Sequence, residues 1–315
     1  MPAFGVERNI EINAPAEKVR PAISDLKQWG CWSPWLCMEP EARLSYWGNS
    51  GKVGHGHSWE GTLVGAGQLE ISAINERTYD FDLTFLKPFK STAQVQMVIE
   101  EANDNATNVT WKMDSSLPFF MFFMVKTMKA MIGNDYMRGL NMMKEYVETG
   151  AVASNTKIAG KTEVTSFHYV GEADKCSMTK LSESMQSTMP AAFQKAKDMG
   201  LDISGPPGAM YHKVDLVEQH CHYSAFSQVS PSESKDQNAI GQVVDCDAIK
   251  VIHTGSYAHL GNAWSAAYAY LRYHKLKAHS TQPAFELYVN DPAQTPTESL
   301  ITEIYVPIRE VSISS

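Results

Sequence analysis

The most pointed chemistry in the 315-residue chain lies in the stretch Pro283-Ala-Phe-Glu-Leu-Tyr-Val-Asn-Asp-Pro292. One carboxylate, Glu286, stands in an apolar run. Side chains alternate between the faces of a strand, so Glu286 and Tyr288 share one face while Phe285, Leu287 and Val289 take the other. Alternation alone leaves two roles open: a solvated outer face, or the wall of a pocket. In a pocket the carboxylate attracts cations, and aromatic faces add cation–π attraction. Desolvation also raises a carboxyl pKa and suits it to general-base work. Tyr257, Trp264, Tyr268, Tyr288 and Tyr211 are the candidate aromatic walls. Ordinary core packing is the competing role, above all for Trp264.

Other constellations carry less. His220-Cys-His222 offers two imidazoles on one strand face with Cys221 opposite, which spoils a Cys–His dyad, and no third metal ligand stands at suitable spacing. A surface strand is the better reading, and no metal is expected. His55, His57 and Trp59 share a face, either of an interior wall or of a solvent edge. Gly65-Ala-Gly67 lacks the strand–helix setting of a phosphate loop. The five cysteines, 31, 37, 176, 221 and 246, include no CxxC pair, so reduced thiols and a cytoplasmic setting are expected. The net charge of -8 argues against a direct nucleic-acid surface. The longest apolar run, Leu117–Val125, is about half of a membrane span, and no cofactor is implied.

The elements that position these residues follow from periodicity. Phe4 to Ile12 alternates as a strand; Asn13 and Pro15 open a helix with Val19, Ala22, Ile23 and Leu26 on one face. Residues 41–116 read as short strands separated by Gly, Asn and Pro turns. A long helix follows to Thr149, with Phe122, Val125, Met128, Met131 (or Ile132), Tyr136, Leu140, Met143 and Val147 recurring at three to four residues. Residues 150–163 are small and polar, and read as a linker. Beyond it the order is strand (164–172), helix (177–199, with a kink or break expected at Pro190), and strands at 209–215 and 219–229. The same order then returns at 248–255, 255–275, 284–290 and 300–308.

Two resemblances fit this order. Ile10-Glu-Ile-Asn-Ala-Pro-Ala-Glu-Lys-Val19, Trp29…Trp32-Ser-Pro-Trp35 and the long final helix resemble the SRPBCC superfamily, START-like and polyketide-cyclase-like. That resemblance implies a helix-grip fold: an antiparallel sheet curled around the helix, with an apolar cavity between them. Gly255-x-Tyr257-x-x-Leu260-x-x-Ala263-Trp264, Pro283-Ala-Phe-Glu-x-Tyr288-x-x-Asp-Pro292 and Thr302-Glu-Ile-Tyr-Val-Pro-Ile308 resemble the GyrI-like family, the effector-binding domain of AraC-type and MerR-type regulators. It implies a pseudo-two-fold pair of strand-helix-strand-strand repeats around a ligand cleft, with Glu286 at its centre. The expected class is α+β, with an SRPBCC domain at 1–149, the linker at 150–163 and a GyrI-like domain at 164–315.

The expected function is binding of a small cationic or hydrophobic aromatic molecule by Glu286, Tyr288, Tyr257, Trp264, Tyr211 and Tyr268, in a sensing or sequestering role. A β-rich domain occupies the place of the regulators' DNA-binding head, which leaves room for a partner protein or a homodimer. Some GyrI-like proteins hydrolyse strained toxins with the pocket Glu, and the resemblance does not decide between a binder and a hydrolase with Glu286 as base. A third reading makes the first domain a lipid or hydrophobic-metabolite carrier.

Overall fold

The computed structural model describes residues 3–116, 119–230 and 239–309. The chain forms two compact units, Met1–Val152 and Ala153–Ser315, each built on its own antiparallel sheet. The class is α+β.

In the first unit, β1 (Ala3–Ile12) leads into α1 (Ala16–Ser24) and the one-turn α2 (Trp29–Trp32). Six strands follow: β2 (Arg43–Trp47), β3 (Gly56–Glu60), β4 (Ala66–Ile74), β5 (Thr78–Lys87), β6 (Ser91–Asn103) and β7 (Ala106–Ser116). A 3₁₀ segment, Phe119–Met124, then enters α3 (Val125–Thr149). The sheet order β1-β7-β6-β5-β4-β3-β2 is a meander whose last strand pairs with the first, Ala3 opposite Ser116. Pro15 starts α1 because its missing N–H has no helical partner to lose. Gly150 ends α3 in the left-handed conformation, φ 88°, donating its N–H to the Tyr146 carbonyl at 2.8 Å.

Aromatic rings fill the space between α3, the short helices and the sheet. Trp111 stacks on Tyr136 at 4.1 Å, while Trp29 and Trp32 meet Trp111 edge-on at 5.6 and 5.5 Å. Tyr136, Leu140 and Met143 of the expected α3 stripe are buried, but Met131 and Phe122 are exposed, and Ile132 packs in place of Met131. The 3₁₀ winding of 119–124 advances three residues per turn and shifts the stripe out of phase there.

The second unit runs β8 (Ser154–Val164), β9 (Phe167–Ser177), α4 (Leu181–Asp198), β10 (Gly208–Asp215), β11 (His220–Val229), β12 (Gly241–Val243), β13 (Cys246–Gly255), α5 (Leu260–Tyr273), β14 (Ala284–Tyr288) and β15 (Ile301–Pro307). The sheet order is β12-β9-β11-β10-β14-β15-β13-β8. The strand-helix-strand-strand order therefore occurs twice, and the two sets join where β10 pairs with β14.

Two expectations need correction. Most of the stretch read as a linker is β8, paired along β13 from Val164 opposite Cys246 to Ser154 opposite Gly255. Its small polar composition hides a period of two: Thr156, Ile158, Thr162 and Val164 turn inward, while Asn155, Lys157, Lys161 and Glu163 face water, as an edge strand allows. The helix α4 runs unbroken through Pro190. Thr188 before the proline and Ala192 and Ala196 after it are all buried, and tertiary packing on both sides overrides the lost hydrogen bond.

Candidate functional site

Both helices of the second unit lie on one face of its sheet. The helix α4 covers β9 and β11, and α5 covers β13, β8 and β15, so β10 and β14 lie in the gap between them. Facing pairs place Ala209 of β10 opposite Glu286, and Tyr211 opposite Tyr223 of β11. Residues opposite each other in an antiparallel ladder share a face, so Glu286, Tyr288, Tyr211 and Tyr223 all point toward the helices. Phe285 and Leu287 pack on the reverse face with Met210 and Phe226. Gly208 allows the close join of the two strand sets: a Cβ there would run into the Glu286 carbonyl oxygen and the Phe226 ring.

Glu286 is 1% exposed. Trp264 donates its indole N–H to Oε1 at 2.5 Å, and Tyr288 donates its hydroxyl to Oε2 at 2.6 Å. Tyr211, on the facing strand, adds to the stabilisation of the charged carboxylate. Around this floor, Tyr211 meets Trp264 edge-on at 5.2 Å, Tyr257 meets Tyr288 edge-on at 5.5 Å, and Tyr268 stacks beside Trp264 at 6.2 Å. Tyr257 and Tyr268 are exposed, so the aromatic set grades from a buried carboxylate to an open rim. The structure brings together all six residues singled out from the sequence.

Burial pushes the Glu286 carboxyl pKa up, and the bonds from Tyr288, Trp264 and Tyr211 hold it down in part; among the described residues no cation contributes. Burial and then the Glu286 charge raise both Tyr211 and Tyr288 well above the ordinary phenol value, so both stay protonated donors. A desolvated carboxylate held by neutral donors alone keeps an unbalanced negative charge, which a bound cation or a proton relieves.

Residues 161–309 match the family model of the GyrI-like small molecule binding domain, and residues 3–148 that of polyketide cyclase / dehydrase and lipid transport. The chain joins a polyketide cyclase-type domain to a GyrI-like domain. Small-molecule binding is the function these matches support. Among solved structures, an EcmrR–DNA complex is similar at 16% identity, covering 61% of this chain and 68% of that chain, with a TM-score of 0.43. The EcmrR C-terminal domain is 18% identical over 50% of this chain and 99% of that one, with a TM-score of 0.44. The Zhui aromatase/cyclase from Streptomyces sp. R1128 is 10% identical over 47% of this chain and 94% of that one, with a TM-score of 0.38. No curated protein sequence matches the chain.

Further residues of the GyrI-like domain border the site, Met185 among them from the apolar face of its helix. Met185 of α4 receives a contact from the Tyr288 hydroxyl at 3.5 Å. Tyr223 bonds both Ser184, at 2.5 Å, and Thr188, at 3.0 Å, which ties α4 to the sheet beside the site. Buried His253 and Thr302 lie on the same face, in register with Tyr288. Only the i, i+2 pair Glu286–Tyr288 carried a local signal; the others come from elements distant in sequence. Among the described residues, no group of three or more His, Cys, Asp or Glu side chains is placed to hold a metal ion. His220 is exposed and Cys221 is buried.

In the polyketide cyclase-type domain, both open histidines point inward. His55 receives the Leu26 N–H on Nε2 at 3.2 Å and bonds the Trp47 carbonyl through Nδ1 at 2.9 Å. His57 is 3% exposed, and its Nδ1 has no hydrogen-bond partner. Tyr46, Trp59 and Trp29 surround it at ring distances of 5.8, 5.8 and 6.4 Å. Burial, and then the neighbouring His55, pull its pKa down to about 4, so it is a neutral imidazole at pH 7. No described helix in either domain is long and apolar enough to cross a membrane.

Proposed function

We propose that the GyrI-like domain binds a small cationic, aromatic or polarisable molecule over Glu286, in a sensing or sequestering role, with no nucleic-acid contact by this chain itself. One observation carries this reading: a buried carboxylate whose hydrogen bonds all come from aromatic side chains, with no cation beside it among the described residues. The ligand's positive charge supplies the missing partner, and the faces of Trp264, Tyr268 and Tyr257 supply cation–π contact at the open side. The acidic net charge of -8 supports a cationic ligand and weighs against DNA.

Calorimetric titration with a lipophilic aromatic cation, tetraphenylphosphonium, tests the assignment. The wild type binds it, and Glu286→Gln weakens binding at least tenfold. Equal affinity in both proteins removes Glu286 from the site. A further arm offers strained electrophilic substrates: turnover that vanishes in Glu286→Gln while binding persists would move the assignment from a binder to a hydrolase with Glu286 as base.

A second reading rests on His57. An unpartnered buried nitrogen ringed by Tyr46, Trp59 and Trp29 suits an apolar molecule carrying one hydrogen-bond donor, held inside the polyketide cyclase-type domain. Native mass spectrometry of the purified protein should then show a co-purified hydrophobic metabolite that His57→Leu releases; a wild-type protein free of any such adduct counts against it.

A further inference from the structure

Two thiols of the GyrI-like domain stand apart from the other cysteines. Cys176 of β9 and Cys221 of β11 face each other directly in the antiparallel ladder, and their Sγ atoms are 3.7 Å apart. Opposed residues in such a ladder have Cα atoms about 4.5–5.5 Å apart. That range falls inside the window of about 4.4–6.8 Å within which a disulfide closes without backbone movement. The direct register and the 3.7 Å between the sulfurs thus place the pair within reach of a disulfide. Both thiols are free, Cys176 half-buried and Cys221 buried.

The surroundings give the pair something to act on. Cys221 lies in one packed cluster with Tyr223, Tyr211, Tyr288 and Met185, the side chains that wall and support Glu286. On the same cluster, Met178 and Leu181 carry the start of α4, and the Met178 N–H bonds the Gln219 carbonyl at 2.8 Å beside the pair. The thiols thus sit under the entry to the helix that borders the candidate site.

We propose that Cys176 and Cys221 are a reversible redox modification site, closed to a disulfide by a hydroperoxide and opened by a dithiol. The half-buried Cys176 reacts first. Its thiolate attacks the outer peroxide oxygen, an S–O bond forms, the O–O bond breaks, and water (or an alcohol from an organic hydroperoxide) leaves. Cys221 then attacks the sulfenic sulfur of Cys176: the S–S bond forms, the S–O bond breaks, and the Cys221 proton leaves with the hydroxide as water. Two thiols lose two electrons and the peroxide gains them. Burial pushes the Cys221 thiol up to about 12, in keeping with its reacting second, on the sulfenic sulfur, and not first, on the peroxide. The bond then joins β9 to β11 across a separation of 45 residues in sequence.

The test uses the whole chain. The protein is treated with hydrogen peroxide, alkylated with iodoacetamide and read by mass. The expected product has lost two hydrogens and carries alkyl groups on Cys31, Cys37 and Cys246 alone; a Cys176–Cys221 peptide pair appears in the digest, and dithiothreitol reverses it. Its unfolding midpoint rises by roughly 5 °C or more, because closing a long loop restricts the unfolded chain. Cys176→Ser abolishes both changes, and Cys221→Ser leaves Cys176 over-oxidised. Five alkylated cysteines in the treated wild type, or Cys176 sulfinic acid without the cross-link, overturns the proposal. The ligand readout rests on the proposed function: oxidation should shift the Kd for tetraphenylphosphonium at least threefold in the wild type and not in Cys176→Ser. An unchanged Kd overturns the coupling to Glu286, while the mass measurement, which needs no ligand, judges the disulfide separately.

Discussion

Two aromatic clusters, one in each domain, use the same residue types in different ways. In the polyketide cyclase-type domain the rings of Trp29, Trp32, Trp111 and Tyr136 pack on one another, and a nearby imidazole nitrogen, on His57, is left without a partner. In the GyrI-like domain the polar ends of Trp264, Tyr288 and Tyr211 converge on one carboxylate. In the first, the Trp29 and Trp32 N–H groups end on the Ile23 and Ala22 carbonyls and the rings gain from burial and edge-to-face contact; in the second, the hydrogen bonds converge on a carboxylate in a low-dielectric setting. Composition is therefore a poor guide to what an aromatic cluster does. What distinguishes them is where the O–H and N–H groups point.

The largest contrast is expected from Trp111→Ala. It should destabilise the first domain by about 3–5 kcal/mol, from lost transfer energy plus the cavity left behind, and hydrogen exchange should show protection lost in residues 3–148 but kept in 161–309. Loss spread evenly over both would break the comparison. The next effect is pH dependence of opposite sign. His57 has its folded pKa lowered from 6.5 to about 4, so the unfolded state binds more protons in that window. The first domain therefore keeps its full stability above pH 6.5 and loses about 3 kcal/mol as pH falls to about 4. Urea unfolding at pH 4 and 7 should show this loss in wild type and little of it in His57→Leu. Glu286 has its folded pKa raised above 4.5, so here the folded state binds more protons, and the second domain loses stability as pH rises through that window. Glu286→Gln should flatten this slope; a slope that persists assigns it to another group.

Gly208→Ala comes next. The added methyl meets backbone and ring at the join of β10 and β14, and a cost of about 1–3 kcal/mol is expected in chemical unfolding, together with weaker tetraphenylphosphonium binding. The smallest effect belongs to Tyr268→Phe. At the exposed rim it should change stability by less than about 0.5 kcal/mol and leave cation binding nearly intact, since the ring face remains. A large loss of affinity there would mean that the hydroxyl, and not the ring, touches the ligand.

Much of this was legible locally. Proline and glycine punctuation and the two periodicities locate most elements to within a few residues, and Glu286 and Tyr288 share a face because strands alternate. Alternation does not say which face is wet, so the burial of His55 and His57 had to come from the structure. The strand at 154–164 hid because threonine and glycine carry little of its apolar face. The bond between Trp264 and Glu286 links a helix to a strand 22 residues away, and the contact between Tyr288 and Met185 spans 103. No local pattern encodes either, since both depend on which strands become neighbours.

Trp264 has a consequence of a different kind. Six of the seven tryptophans, at 29, 32, 35, 47, 59 and 111, precede residue 150, so Trp264 is the sole indole of the GyrI-like domain. Its N–H ends on the Glu286 carboxylate. The domain thus carries its own spectroscopic label: in a nitrogen-15 spectrum, one indole cross-peak, assignable by a single substitution, reports the state of the carboxylate. A molecule that draws Glu286 away from the indole moves that peak and leaves the other six where they were.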